Sequence, residues 1–456
     1  MDNNKKATLE LGTKPVKKLL LQYAMPAIIA MTAASLYNII DRIFIGQVVG
    51  PKAIAGLAIT FPFMNLAAAF GAAVGIGSST TISVKLGQKD YATAQNILGN
   101  TISLNILIGI SFAIISLIFI NPILTLFGAS AETIVYARDF MEIILYGNVF
   151  SHLYFGLNAV LRAASKPKMA MYITIGTVIL NIIFDVIFIT WWGWGIRGAA
   201  FATILSQIIA LVWQIKIFAN KKELLHLQKG IYWLKKKLVN NIISIGISPF
   251  LMNVCACLII IFINNKLEVY GGDMSVGAYG ISYSIAMVFI MIVIGLNQGM
   301  QPIAGYNYGA QLYDRMMKSV KLTIITATII TTFGWLIAYT VPQACARLFT
   351  TNPDLIEKAV KAIRITMTMF PFIGIQMVIT NFFQCIGKVK ISIFLSLSRQ
   401  LLFLLPLLII LPYIFKINGV WAAMPLSDLI AVIVAVIVMT RYISKQKKSN
   451  PIWRKK

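Results

Sequence analysis

Charged residues, histidine and cysteine are scarce in this sequence. Only 12% of the 456 residues are charged, whereas 58% are hydrophobic, and the chain has two histidines and four cysteines. About a quarter of the residues of a soluble domain are charged, so this composition argues against an ordinary soluble protein. No cysteine spacing matches a zinc site or a disulfide framework, and His152 and His226 stand far apart without ligand partners. We therefore expect no metal site.

Acidic residues are particularly few. There are 15 Asp and Glu against 40 Lys and Arg, which gives a net charge of +25. Such a charge can indicate nucleic-acid binding. Here, however, the basic residues lie between apolar runs and in the tails, and they form no stripe interleaved with aromatic residues. We therefore expect no nucleic-acid partner.

Long apolar runs dominate the chain. A helix needs about twenty mostly apolar residues to cross a bilayer, and the sequence predicts twelve such spans. The first half holds spans near 19–45, 54–83, 93–120, 132–157, 169–192 and 196–218. The second half holds spans near 242–268, 276–301, 315–341, 354–383, 391–413 and 419–442. The predicted fold is an all-α integral membrane protein with the lipid bilayer as its environment.

The Lys and Arg residues set the predicted orientation. Cytoplasmic loops carry an excess of basic residues, and placing the N-terminal tail inside puts most Lys and Arg on that side. An even number of spans returns the C-terminus to the same side. We expect a multi-pass protein of the plasma (inner) membrane with both termini in the cytoplasm.

The two halves repeat at an offset of about 222 residues. Matched pairs include Gly87 with Gly309 and Lys166 with Lys388, and Pro26 matches Pro249 at an offset of 223. Six spans per half make the repeat parallel, as in transporters whose halves rock around a central site. The predicted domains are an N-terminal lobe over 1–218, a cytoplasmic linker loop over 219–241 and a C-terminal lobe over 242–456.

Two deep acids mark a candidate site in the first half. Asp41 follows Tyr37 by four residues in the first span, and Asp185 follows Asn181 by four in the fifth. A spacing of four places both members of each pair on one helical face. Thr203 in the sixth span adds another oxygen. Acids inside spans are costly and usually functional.

If these faces meet, the two carboxylates share a cavity of low dielectric, where both cannot ionise cheaply without a cation. A proton between them or a bound Na⁺ would couple charge to conformation. The alternative is that Asp41 pairs with Arg42 or Arg197. The acidic pair has no counterpart in the second half, where Asn264 stands opposite Asp41, and this asymmetry favours a functional site.

Four further positions are candidates, and the two acids among them are the weaker ones. Asn158, near the inner end of the fourth span, could contribute to a pocket. Pro26 lies inside the first span, where proline bends a helix. Glu142 and Asp428 are intramembrane acids for which spacing suggests no polar partner.

The sequence resembles the multidrug and toxic compound extrusion (MATE) family over nearly its whole length. The segments that carry this resemblance are YNIIDRIFIG (37–46), LGQKDY (86–91), LRAASKPK (161–168), NIIFD (181–185) and GAAFATILSQ (198–207). The resemblance implies twelve helices in two lobes, and efflux of amphipathic, often cationic compounds in exchange for H⁺ or Na⁺.

The resemblance to the bacterial DinF-like and MepA-like branch also implies residue roles. It implies a cation site at Asp41, Asn181, Asp185 and Thr203, a substrate pocket that includes Tyr37 and Asn158, and a bend at Pro26. The related NorM-like branch carries acids in the seventh and tenth helices. The corresponding segments here, 249–256 and 372–384, contain none, so no second cation site of that kind is expected.

The leading hypothesis is therefore a cation-coupled antiporter that acts on small organic cations. The runner-up is a flippase for a lipid-linked saccharide or lipid, which shares the architecture but typically presents several cavity arginines; only Arg138, Arg364 and Arg399 lie within spans. An enzyme is not expected, because the longest loop carries a single acid, Glu223. We expect a monomer without a cofactor, with H⁺ or Na⁺ as the coupling ion.

Overall fold

The structure, a computed structural model, describes residues 2–49, 51–130 and 132–449. Within these ranges the description excludes the side chains of residues 2–6, 36–40, 42–44, 46, 47, 51, 52, 54, 55, 58 and 273. The described residues form helices and turns, with no strand among them. Helices are the expected form for apolar segments in lipid, because they satisfy their backbone polar groups internally.

The described part of the first half contains nine α-helices and two π-helical segments. They are α1 (Asp2–Thr13), α2 (Val16–Phe44), π1 (Ile45–Val49), α3 (Pro51–Gly87), α4 (Tyr91–Ile118), α5 (Ile120–Leu126), α6 (Ile134–Tyr146), α7 (Asn148–Ala163), α8 (Pro167–Asp185), π2 (Val186–Trp191) and α9 (Gly195–Ala219). Helix α3 packs against α4 and α7, and α8 packs against α9.

The second half repeats this order from α2 onward, without a counterpart of π1 among the described residues. Its described elements are α10 (Lys236–Gly271), α11 (Asp273–Gly309), α12 (Tyr313–Thr340), α13 (Pro342–Arg347), α14 (Pro353–Thr366), α15 (Phe370–Cys385), α16 (Val389–Leu397), π3 (Ser398–Leu404) and α17 (Leu405–Ser449). Helix α15 packs against α11 and α12, as α7 packs against α3 and α4 in the first half. A core that includes Phe370, Leu408 and Trp421 fills this half.

All twelve predicted spans coincide with helices. In the described chain, eight helical segments are long and apolar enough to cross a membrane, and two bent helix pairs raise the number to ten. One of the eight, Val389–Ser449, has 61 residues and covers the last two predicted spans, with a break at Lys416, where φ is 50°. The 29-residue helix α2 covers the first predicted span. The predicted membrane fold is confirmed.

The fourth and tenth predicted spans are bent, which spacing did not predict. Helices α6 and α7 meet at 58°, and α14 and α15 meet at 52°. The first bend lies at Gly147, where a Cβ atom would come within 2.4 Å of Ile204 Cδ1 in α9. Glycine therefore allows the close approach that the bend requires.

The backbone repeats at the predicted offset. Three pairs of residues with positive φ are separated by 222, 222 and 221 positions: Lys89 (59°) with Gln311 (59°), Ser165 (65°) with Gly387 (69°), and Gly195 (57°) with Lys416 (50°). Left-handed conformations are uncommon outside glycine, so their recurrence at this spacing confirms the internal repeat.

The LGQKDY segment forms the turn between α3 and α4. Lys89 is left-handed, and the Asp90 side chain caps α4 by accepting a hydrogen bond of 3.0 Å from the Thr93 backbone N–H. Lys85 Nζ lies 3.2 Å from Asp90 Oδ2. Burial acts to raise the pKa of Asp90, but the hydrogen bonds from Thr93 and Lys85 hold it below its ordinary value. This motif therefore serves helix capping.

The chain divides into two compact units. Unit 1 comprises residues 1–14 and 25–250, and unit 2 comprises residues 15–24 and 251–456. The divisions within α2 and α10 fall beside Pro26 and Pro249, the two prolines that the repeat matches. Proline removes a backbone hydrogen bond inside a helix. The predicted domain boundaries at 218 and 242 stay predictions.

Candidate functional site

Two buried carboxylates lie together in unit 1. Asp41 is in α2 and is 9% exposed, whereas Asp185 ends α8 and is fully buried. The π-helical segments that follow them, Ile45–Val49 and Val186–Trp191, pack against each other, which brings the two acids into one region. Two like charges in a medium of low dielectric repel each other strongly. The structure thus brings together the two acids that sequence reasoning selected.

Irregular helical segments surround this pair. Segment π2 begins directly after Asp185, and π1 begins four residues after Asp41. The two segments pack against each other and against α9, which carries Thr203. A π-helical turn in an α-helix frequently occurs at functional sites. The α2, α8 and α9 backbones therefore converge where the acids lie.

Asn181 and Thr203 connect α8 to α9 one turn before Asp185. Asn181 Nδ2 donates a hydrogen bond of 3.4 Å to Thr203 Oγ1, and Thr203 Oγ1 donates one of 3.0 Å to the Ala199 carbonyl. Asn181 is 2% exposed. This bond joins the two helices, and it leaves the carboxamide oxygen of Asn181 without a hydrogen-bond partner among the described residues.

Three buried oxygens of this site lack hydrogen-bond partners within the described residues. They are both carboxylate oxygens of Asp185 and Oδ1 of Asn181. A buried polar atom without a partner costs about 1–3 kcal/mol, so such atoms call for an explanation. A proton or a small cation would satisfy them, because both need oxygen acceptors. These oxygen atoms suit the predicted coupling ion, H⁺ or Na⁺. Binding of that ion at this site stays a prediction.

The other predicted site residues have different surroundings. The Tyr37 side chain lies outside the described residues. Asn158 is buried and donates to the Ala170 carbonyl at 3.2 Å and to Thr174 Oγ1 at 3.3 Å, while its oxygen accepts from Arg162. To contact a substrate, Asn158 would have to exchange these hydrogen bonds for bonds to that substrate. Pro26 lies inside α2, and its role as a bend stays a prediction.

The predicted alternative, a pairing of Asp41 with Arg197, is not found among the residues that the structure describes. Arg197 Nη2 instead donates a hydrogen bond of 2.7 Å to Asp139 Oδ1. The Arg42 side chain lies outside the described residues.

Both weaker acidic candidates have partners. Glu142 Oε1 accepts a hydrogen bond of 2.6 Å from Arg138 Nε one helical turn away, a spacing that sequence reasoning overlooked. Asp428 Oδ1 accepts one of 2.6 Å from Arg399 Nε in π3. That partner lies 29 positions away, so no local pattern could have indicated it. Within the described residues, no group of three or more His, Cys, Asp or Glu side chains could hold a metal ion.

Comparisons with known proteins agree with this architecture. The sequence model of the MatE family matches residues 26–187 and 244–410, one match in each half. A multidrug export protein MepA of Staphylococcus haemolyticus is 27% identical over 422 residues, which cover 92% of this chain and 93% of that protein. A multidrug export protein MepA of Staphylococcus aureus is 26% identical over 425 residues, which cover 93% and 94%.

Solved structures show the same fold. An outward-facing conformation of a multidrug resistance MATE family transporter of the MOP superfamily superposes with a TM-score of 0.92. It is 23% identical, and the match covers 97% of this chain and 99% of that one. A MOP superfamily transporter from Pyrococcus furiosus matches with a TM-score of 0.91 and 24% identity over the same shares of the two chains.

Proposed function

The chain belongs to the MatE family, and from this premise we propose that it is a cation-coupled antiporter that exports amphipathic, mostly cationic drugs or toxins by alternating access. The multidrug export proteins that it resembles over more than nine-tenths of its length support export of drugs. The observation that carries the coupling is the buried Asp185 beside Asp41, with both of its oxygens lacking partners among the described residues.

The coupling follows from electrostatics. When both acids are ionised, the site holds two negative charges in a medium of low dielectric, and a cation is needed to offset the cost. H⁺ or Na⁺ entering from outside relieves the repulsion at Asp41 and Asp185. Asn181 and Thr203 provide further oxygens for Na⁺. A cationic drug taken from the cytoplasm relieves part of the same repulsion, so ion and drug each weaken the binding of the other.

Alternating access requires helices that bend. Helices α2 and α10 each pass from one unit to the other beside an internal proline, Pro26 and Pro249. A missing hydrogen bond makes each position easier to bend than a regular helix. Because α2 also carries Asp41, a change of charge there acts on the element that would move. We propose Pro26 as the bend that links ion binding to access.

The remaining properties follow from the same function. We propose that the protein works as a monomer in the inner membrane with both termini in the cytoplasm, on small organic cations, without nucleic acid and without a cofactor other than H⁺ or Na⁺. The bias of Lys and Arg supports the orientation. Antiport needs no covalent chemistry, which agrees with the expectation that the chain is not an enzyme.

Transport in reconstituted vesicles tests this proposal. We expect a fluorescent organic cation such as ethidium to move against its gradient when either a pH or a Na⁺ gradient is imposed, and not when both are collapsed. An anionic dye of similar size should not move, because it would meet uncompensated carboxylates. Transport restricted to anions or lipid-linked sugar phosphates would refute the antiporter and favour the flippase.

Equilibrium binding tests the competition between ion and drug. We expect the affinity for the fluorescent cation to fall as pH is lowered, or as Na⁺ is raised if Na⁺ is the ion, because each charge compensates the same acids. Linkage makes the effect reciprocal, with a coupling of about 5- to 150-fold. The measurement is fluorescence anisotropy on purified protein across pH and Na⁺. In Asp41→Asn the affinity should depend less on pH and Na⁺. If the affinity of the unmodified protein were independent of both ions, the coupling site would have to lie elsewhere.

The hydrogen bond that Arg399 makes argues against the flippase alternative. A flippase needs arginines free to bind pyrophosphate, whereas the Arg399 guanidinium donates to Asp428. The local charge is thereby neutralised.

A further inference from the structure

The loop between α9 and α10 is fastened to unit 1 by the side chains of α4. Asn100, which is fully buried, donates to the carbonyls of Ile231 at 3.2 Å and Trp233 at 3.0 Å. Its oxygen accepts from the Lys235 backbone N–H at 2.9 Å. A single carboxamide thus uses three bonds to hold three positions of the loop.

Further bonds extend along the same loop. Gln95 exchanges hydrogen bonds with the backbone of His226 in both directions, and Ser103 Oγ donates to the Tyr232 carbonyl at 2.7 Å. Glu223 forms an ion pair with Lys166. At Gly99 a Cβ atom would lie 2.2 Å from the Ile231 carbonyl oxygen, so the loop rests directly on the α4 backbone. These contacts make the loop a fixed surface.

The segment Tyr232–Lys237 (YWLKKK), here called the loop tip, faces outward from this support. Ile231 before it is buried, whereas every residue from 232 to 237 is exposed. Trp233 is 80% exposed, and Tyr232 and Leu234 are each more than 40% exposed. Three apolar side chains held outward on a fixed backbone form a patch that is unfavourable in water. Tyrosine and tryptophan are enriched where membrane meets water.

The charge of this loop is one-sided. Between residues 219 and 241 it contains six lysines, at 221, 222, 229, 235, 236 and 237, and a single acid, Glu223. That acid is already bonded to Lys166. Lysines immediately before a transmembrane helix attract anionic lipids, and α10 begins at Lys236. The loop tip therefore adjoins the start of a helix long and apolar enough to cross a membrane, and it carries charge complementary to anionic headgroups.

We propose that the loop tip, with Lys221 and Lys222, is a binding surface for anionic phospholipid headgroups of the adjacent leaflet. Trp233 and Tyr232 insert at the level of the headgroups, and the lysines contact the lipid phosphates. The hydrogen bonds from Asn100 and Gln95 hold the surface in place, so little conformational entropy is lost on binding. This surface shares no residue with the acid site, and the proposal does not depend on the proposed antiport.

Fluorescence quenching by brominated lipids tests this surface. Purified protein is placed in nanodiscs that contain brominated phosphatidylglycerol or brominated phosphatidylcholine at equal mole fraction. We expect stronger tryptophan quenching by the phosphatidylglycerol, and we expect Trp233→Phe to remove this difference. In Lys236→Gln/Lys237→Gln the apparent affinity for phosphatidylglycerol should fall about fivefold per lysine.

The matched control removes two exposed lysines elsewhere on the same predicted side. Lys445→Gln/Lys448→Gln, near the end of α17, should keep the preference for phosphatidylglycerol. Thermal unfolding of each variant verifies that it remains folded, and Asn100→Ala should weaken the preference by releasing the loop. Equal quenching by both lipids in the unmodified protein, or an equal loss in the control variant, would overturn the proposal. Full competition by soluble glycerol phosphate would assign the lysines to a free phosphate instead.

Discussion

Asp185→Asn is expected to abolish gradient-driven efflux while the protein stays folded in the membrane. Asparagine has nearly the same shape as aspartate, but it takes up no proton and brings no negative charge for Na⁺. The site would then hold one acid, and the repulsion that a cation relieves would be gone. The measurement is uptake of a fluorescent cation into vesicles under a pH or Na⁺ gradient, with rates expected to fall to the passive leak.

Stability distinguishes a functional acid from a structural one. Asp185 has no hydrogen bond to either oxygen among the described residues, so its neutralisation removes an unfavourable buried charge. Asp185→Asn should therefore unfold at a temperature equal to or above that of the unmodified protein. Asp41→Asn should lose transport in the same way, and the double variant should lose no more than either single one, because the acids act as a unit.

The matched control is Asp139→Asn. It removes one carboxylate from the same unit, but this acid is already paired with Arg197. Transport should persist in this variant. Full transport by Asp185→Asn, or equal loss in the control, would contradict the assignment of the acid site.

Much of the fold was predictable because its signals are periodic. The lengths of the apolar runs located all twelve spans, and a repeat offset of 222 anticipated paired turns such as Lys89 with Gln311. The spacing of Asn181 and Asp185 placed both on one face of α8, which the structure confirms by burying both. These features depend on local geometry, which a sequence expresses directly.

Other features depend on contacts between distant segments. The bend at Gly147 lies against Ile204 in another helix, where a larger side chain would not fit, so apolar length could not indicate it. The attachment of the loop to Asn100 joins residues more than 130 positions apart. A basic loop in the sequence indicates the orientation of the chain in the membrane, but only the tertiary structure shows that the Trp233 side chain is held outward.

The buried ion pair of unit 2 is expected to stabilise the fold, in contrast to the acid pair of unit 1. Asp428 is 5% exposed and bonds Arg399 at 2.6 Å. Removal of one partner leaves the other charge buried and uncompensated, which costs about 3–5 kcal/mol in a protein interior. The partial exposure of Arg399 places the effect toward the lower end of that range. Asp428→Asn should therefore unfold at lower denaturant than the unmodified protein.

A double variant distinguishes the effect of losing the ion pair from the effect of losing side-chain volume. Arg399→Met/Asp428→Leu removes both charges while keeping apolar bulk, and it should recover most of the stability that Asp428→Asn loses, because neither charge is then left alone. Glu142→Gln is the control, since it breaks the more exposed pair with Arg138 and should change stability little. The measurement is unfolding of the purified protein in mixed micelles with increasing sodium dodecyl sulfate. An Asp428→Asn variant as stable as the unmodified protein would contradict a structural role for the pair, and its effect on ion coupling would then be measured as for Asp185.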